Sequence, residues 1–128
     1  MKETPVQQRI SLDAAQLGNV LWRNNVGSLP DRTGRWIRFG LANDSEKLNK
    51  KVKSSDHIGI TPTIITQEMV GYMIGRFTAI ESKKSDWVFN PNDEHTLAQL
   101  AYHDIVRHHG GLAGFATGVP DYRMIIGK

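Results

Sequence analysis

The chain has 128 residues, 39% of them hydrophobic and 23% charged, a composition that suits one compact domain over residues 1–128 and excludes a disordered polymer. No apolar run approaches the roughly 20 residues that span a bilayer, and the opening "MKETPVQQRI" has no apolar leader, so a cytoplasmic chain without a membrane partner is expected. The absence of cysteine excludes disulfides and thiolate metal sites, and the formal charge of +3 is a mild bias toward polyanions.

"ETPVQQRISLDAAQL" places Val6, Ile10, Ala14 and Leu17 at helical spacing, with Pro5 tolerated in the first turn. "NVLWR" and "RWIRFGL" read as strands on either side of the turn-rich "NNVGSLPDRTG", which predicts a hairpin. The polar, basic "ANDSEKLNKKVKSSD" is expected to be a loop with a single helical turn. "DHIGI" is a short apolar strand, and "MVGYMIGRFTAIESK" a long, bent one. "NPNDEHTLAQLAYHDIVRHHGG" has capping residues, a helical apolar spacing and a Gly110–Gly111 stop. "LAGFAT" closes the chain as a buried strand. This order predicts an α/β fold with a small mixed sheet flanked by helices.

Chemistry concentrates at the end of "FTAIESKK". Alternate strand residues share a face, so Phe77, Ala79, Glu81 and Lys83 point one way. The first two are core-like and the last two charged, so the strand is expected to leave the core at a cleft. An isolated E-x-K is usually a surface ion pair. Asp56 changes that weighing, because it opens another apolar strand, and adjacent strand ends about 4.8 Å apart bring two carboxylates toward one cation. A hard divalent ion such as Mg²⁺ or Mn²⁺ takes carboxylate oxygens, a carbonyl and waters, so Asp56, Glu81 and the Ser82 carbonyl form a candidate metal set. Lys83 is placed to orient a water or to neutralise charge on a phosphate.

The stretches "ETPVQQRI", "LWRNNVG", "SSDHIGITP", "IITQEMVG", "GRFTAIESKK" and "AQLAYHDIVRHHGGLAGFAT" together resemble the VRR-NUC branch of the PD-(D/E)XK nucleases, in its small stand-alone phage form. The resemblance implies a restriction-endonuclease-like core, with Asp56 and Glu81 as metal ligands and Lys83 as the catalytic lysine. It further implies site roles for Glu3 and, one turn later, Gln7, and for Gln99 on the helix after E-x-K. Arg23 and Asn24 match the family's arginine–asparagine pair, a candidate DNA contact that turn chemistry explains equally well. Two features depart from the pattern. Ser54 stands where the family usually has glycine, and the connector "SDWVFNPNDEH" follows it poorly.

Lys47, Lys50, Lys51 and Lys53 precede Asp56, so this basic run is either a solvated loop or a phosphate contact. His103, His108 and His109 lack the spacing of a zinc site, and the last two offset the helix dipole. Trp22, Trp36 and Trp87 are expected in the core or at its rim rather than as base-stacking platforms. The expected function is a metal-dependent, structure-selective DNA endonuclease. The resemblance implies a homodimer that resolves four-way junctions. The alternatives are a nuclease directed at flaps or nicks, a catalytically silent DNA-binding subunit, or a globular domain that does not engage nucleic acid.

Overall fold

The computed structural model describes residues 3–128, with side chains from residue 5 onward. Glu3 opens the first helix, but its side chain, and hence its expected site role, lies outside the described residues. The fold is mixed α/β, with small two-stranded sheets and four α-helices among the described residues. Contacts within the chain divide it into two compact units, residues 1–59 and 60–128.

The first unit begins with α1 (Glu3–Gln16), which packs on β1 (Val20–Arg23). β1 pairs with β4 (His57–Ile60). The segment read as a turn contains a strand of its own: β2 (Gly27–Pro30) pairs antiparallel with β3 (Trp36–Phe39). The hairpin therefore exists, but it starts within the expected loop, and "VLWR" belongs to a different ladder. Its turn is set by the Asp31 carboxylate, which accepts from the backbone N–H of Thr33 and of Arg35 at 2.8 and 3.0 Å. Buried Asn43 holds the hairpin's other end. Its Nδ2 donates to the carbonyls of Gly27 and Phe39, and its Oδ1 accepts from Arg38. Gly40 is required here, because at φ +91° an added Cβ would stand 2.5 Å from the Asn25 carbonyl oxygen. The expected helical turn in the basic segment is α2 (Glu46–Lys51), whose N-cap Ser45 accepts from the Leu48 N–H.

The second unit is built around β5 (Thr78–Ser82) and β6 (Leu112–Ala116), which pair in parallel. Only the last part of the long strand expected over 69–83 is extended into a ladder. Residues Gln67–Met69 form a 3₁₀ turn, and positive φ at Gly71 interrupts the apolar run beyond it. α3 (Glu94–His108) is the parallel crossover. Its N-cap Asp93 accepts from the N–H and hydroxyl of Thr96, and Gly110 at φ +91° ends it. A fourth helix, α4 (Val119–Ile126), was not expected from the sequence.

Register explains the layering of this unit. Ala79, Glu81, Ala113 and Phe115 share the face toward α3, whose Arg107 donates to the Ala113 carbonyl. Gly114 points the other way, where a Cβ would meet Ile125 of α4 at 2.8 Å. The buried apolar side chains are small, Val106, Ala113 and Ala116, so the two helices approach the short ladder closely. The sequence reading expects β4 beside β5. In the described ladders β4 pairs with β1, and β5 pairs with β6.

Candidate active site

The candidate residues fall in two groups, one in each unit. In the first, Asp56 lies on the exposed segment that leads into β4. Its carboxylate Oδ2 accepts from Gln7 Nε2 of α1 at 3.3 Å, so Asp56 and the glutamine expected beside it do come together. Asn24, expected as a DNA contact or equally as turn chemistry, braces the loop. Its backbone N–H donates to the Asp56 carbonyl at 2.8 Å, and its Nδ2 donates to Ser54 Oγ and the Ser55 carbonyl at 2.7 and 2.9 Å. Ser54 Oγ donates onward to the Leu41 carbonyl. The Ser54 hydroxyl is thus a tie for the loop carrying Asp56. Arg23 ends β1, exposed, and with Gln7, Gln8, Ser11 and His57 lines a cavity of about 400 Å³. Ser11 Oγ lies 3.3 Å from His57 Nε2, a contact that sequence reasoning did not single out.

The basic run lies on and just after α2. Lys50 pairs with Glu46 at 3.2 Å, with both side chains about seven-tenths exposed, a pair worth little in water. Lys53 donates to Asn49 Oδ1. Lys47 and Lys51 are exposed.

In the second unit, Glu81 and Lys83 are both half-buried on the α3 side of β5, as alternation requires. The Lys83 N–H continues the ladder by donating to the Ala116 carbonyl, so its position is fixed by backbone pairing beyond the formal strand end. Lys83 Nζ donates to Gln99 Oε1 at 2.8 Å. The lysine and the helix glutamine expected beside it are therefore in contact. Glu81 has no hydrogen bond or ion pair among the described residues, and it lines a cavity of about 330 Å³ with Ala79, Gln99, Tyr102 and His103. The Ser82 side chain is exposed.

Three side chains at this site were missed by motif reading. Lys83 Nζ lies 5.5 Å from the ring centroid of Trp87 and 5.6 Å from that of Phe115. His103, dismissed as a zinc ligand, is 3% exposed and packs edge-on to Phe115 at 4.7 Å, with its Nδ1 unpartnered among the described residues. Burial holds the His103 imidazole below the usual histidine range, and Arg107 acts the same way against the opposing pull of Glu81. Phe115 becomes the cross-strand partner of Glu81 only through the β5–β6 pairing, which the sequence reading did not expect, and Trp87 had only its position four residues after Lys83 as a signal.

No protein-family model, curated protein or solved structure matches the chain. The site must be judged on its own chemistry. Among the described residues no three His, Asp or Glu side chains converge on one point. The expected donor set is two carboxylates and a carbonyl, an all-oxygen set that fits a small hard cation retaining waters rather than a zinc-type site. Among the described residues the Asp56 carboxylate has acceptor capacity beyond the hydrogen bond from Gln7, and the Glu81 oxygens are unclaimed, so each carboxylate by itself retains oxygens of the kind such an ion takes. No helix among the described residues is long and apolar enough to cross a membrane.

Proposed function

We propose that the chain is a metal-dependent endodeoxyribonuclease with a restriction-endonuclease-like core. The observation that carries this reading is the 2.8 Å hydrogen bond from Lys83 to Gln99, beside an unclaimed Glu81 carboxylate on the same strand face. A surface ion pair at a fraying strand end would instead leave lysine and glutamate bonded to each other and exposed. The Gln7–Asp56 contact supports the same reading from the first unit.

Asp56, Glu81 and the Ser82 carbonyl would hold Mg²⁺ or Mn²⁺. When bound, such a cation polarises a phosphoryl oxygen and acidifies its water. Gln7 would orient the Asp56 carboxylate. Gln99 would hold the Lys83 ammonium, leaving two of its three donors for a water or for the phosphate oxygen on which charge develops. Lys47, Lys50, Lys51, Lys53 and Arg23 would contact the DNA backbone. Each would add salt-sensitive affinity without sequence preference.

The proposed substrate is a four-way junction, and the proposed active form a homodimer. One such site cuts one strand, so symmetric resolution needs two sites related by a two-fold axis. Apolar side chains left uncovered in the second unit support association, among them Ile64, Tyr72 and Met73, at 87, 75 and 98% exposure. A panel of branched, nicked and linear DNAs with and without Mg²⁺ tests the proposal. Junction cleavage that requires the metal is expected. Equal cutting of flaps and nicks would remove the junction preference, and binding without cutting would indicate a silent DNA-binding subunit.

A further inference from the structure

We propose that Trp87 and Phe115 form a ring clamp that aims the Lys83 ammonium, which makes Trp87 a positioning residue of the reaction. The kinetic part of this inference rests on the nuclease reading; the clamp itself does not. A lysine side chain is a long flexible stem whose ordering costs entropy, and one hydrogen bond to Gln99 leaves rotation about that contact open. The two rings supply further restraints. Each centroid lies within the roughly 6 Å over which a ring face attracts a cation, and the rings contact each other at 5.0 Å and 35°.

The clamp is itself braced. Phe115 is held by its ladder position opposite Glu81 and by the edge of buried His103. Trp87 is returned toward the site by a turn in which its N–H donates to the Lys84 carbonyl at 2.9 Å, and Phe89 packs edge-on to it at 6.3 Å. The connector "SDWVFNPNDEH", which departs from the family pattern, thus places an indole, the strongest ring for a cation, against the catalytic lysine. Ring faces restrain the ammonium without consuming its N–H donors, so those not given to Gln99 remain available to substrate.

The test compares Trp87→Leu with Trp87→Phe, reading steady-state cleavage and the side-chain signals of Lys83 in ¹³C-lysine-labelled protein, assigned with Lys83→Arg. In the wild type, ring currents should move the Lys83 methylene protons upfield, and Trp87→Leu should return them toward ordinary lysine values. Trp87→Leu should lower kcat by about tenfold to a hundredfold with little change in KM, the scale expected for a misplaced group. Trp87→Phe keeps a ring and should stay within about threefold of wild type. Unshifted Lys83 signals in the wild type would overturn the clamp. So would equal losses in the two variants, or an effect confined to KM. If Trp87→Leu does not fold, the wild-type shift and its partial retention in Trp87→Phe decide the matter. A wild-type chain that cuts no DNA defeats the nuclease reading alone, and the Lys83 signals still test the clamp.

Discussion

Glu81 and Lys83 answer different physical demands although they share one strand face. The carboxylate is left unclaimed beside a cavity, whereas the ammonium is bonded to Gln99 and covered by two rings. Substituting either should separate chemistry from folding, because neither packs in the small core of Val106, Ala113 and Ala116. Asp56→Asn, Glu81→Gln and Lys83→Ala are each expected to lower cleavage by at least about a hundredfold, with circular dichroism and DNA affinity close to wild type. Activity within a few-fold of wild type in any of them would remove that residue from the site. Gly111 predicts the opposite pattern. An added Cβ would stand 2.6 Å from Val106 Cγ1 and 2.8 Å from the Phe77 carbonyl oxygen, so Gly111→Ala should destabilise by about 1–3 kcal/mol through overpacking. Thermal unfolding measures it.

At the scale of elements, three turns are set by aspartates bonded to threonines. The side-chain hydroxyl of Thr33 lowers Asp31, that of Thr96 lowers Asp93, and the backbone N–H of Thr117 lowers Asp121, each from an ordinary value of 3.8. A carboxyl depressed on folding contributes stability that is present above the unfolded value and is lost as pH falls through the folded one. The thermal midpoint should therefore drop on acidification below about pH 4, and Asp93→Asn, which keeps a capping oxygen for α3 but removes the titrating carboxylate, should flatten that dependence. A profile unchanged in the variant would contradict the assignment. These devices also mark what was legible in advance. Asp93, Gly110 and the apolar spacing between them located α3, and alternation in "TAIES" set the face of Glu81. The boundaries of the hairpin were missed because its pairing is secured by buried Asn43, a non-local bond that no local pattern announces. The long strand was overread, since an apolar composition cannot distinguish a strand from the irregular backbone around Gly71. Asn24 matched a motif, yet its bonds to Ser54, Ser55 and Asp56 show loop bracing that spacing alone does not separate from a DNA contact.

For the whole molecule, the proposed reaction depends on a hard, oxygen-ligated cation. Ca²⁺ should occupy the carboxylates without supporting cleavage, because it accepts looser geometry and acidifies water less than Mg²⁺ or Mn²⁺. Competition of Ca²⁺ against Mg²⁺ in a cleavage assay would reveal this as inhibition; equal rates with either ion would contradict it. The uncovered apolar side chains around Met73 predict a dimer mass by light scattering, and charge substitution at Ile64 and Met73 should shift it toward the monomer. The most direct test of the central claim incubates an end-labelled four-way DNA junction with the purified wild-type chain and with Glu81→Gln, in Mg²⁺ and in excess chelator. Paired, symmetric cuts by the wild type in Mg²⁺ alone are the predicted result; cleavage that persists in chelator or in Glu81→Gln, or a junction left intact by the wild type, would contradict it.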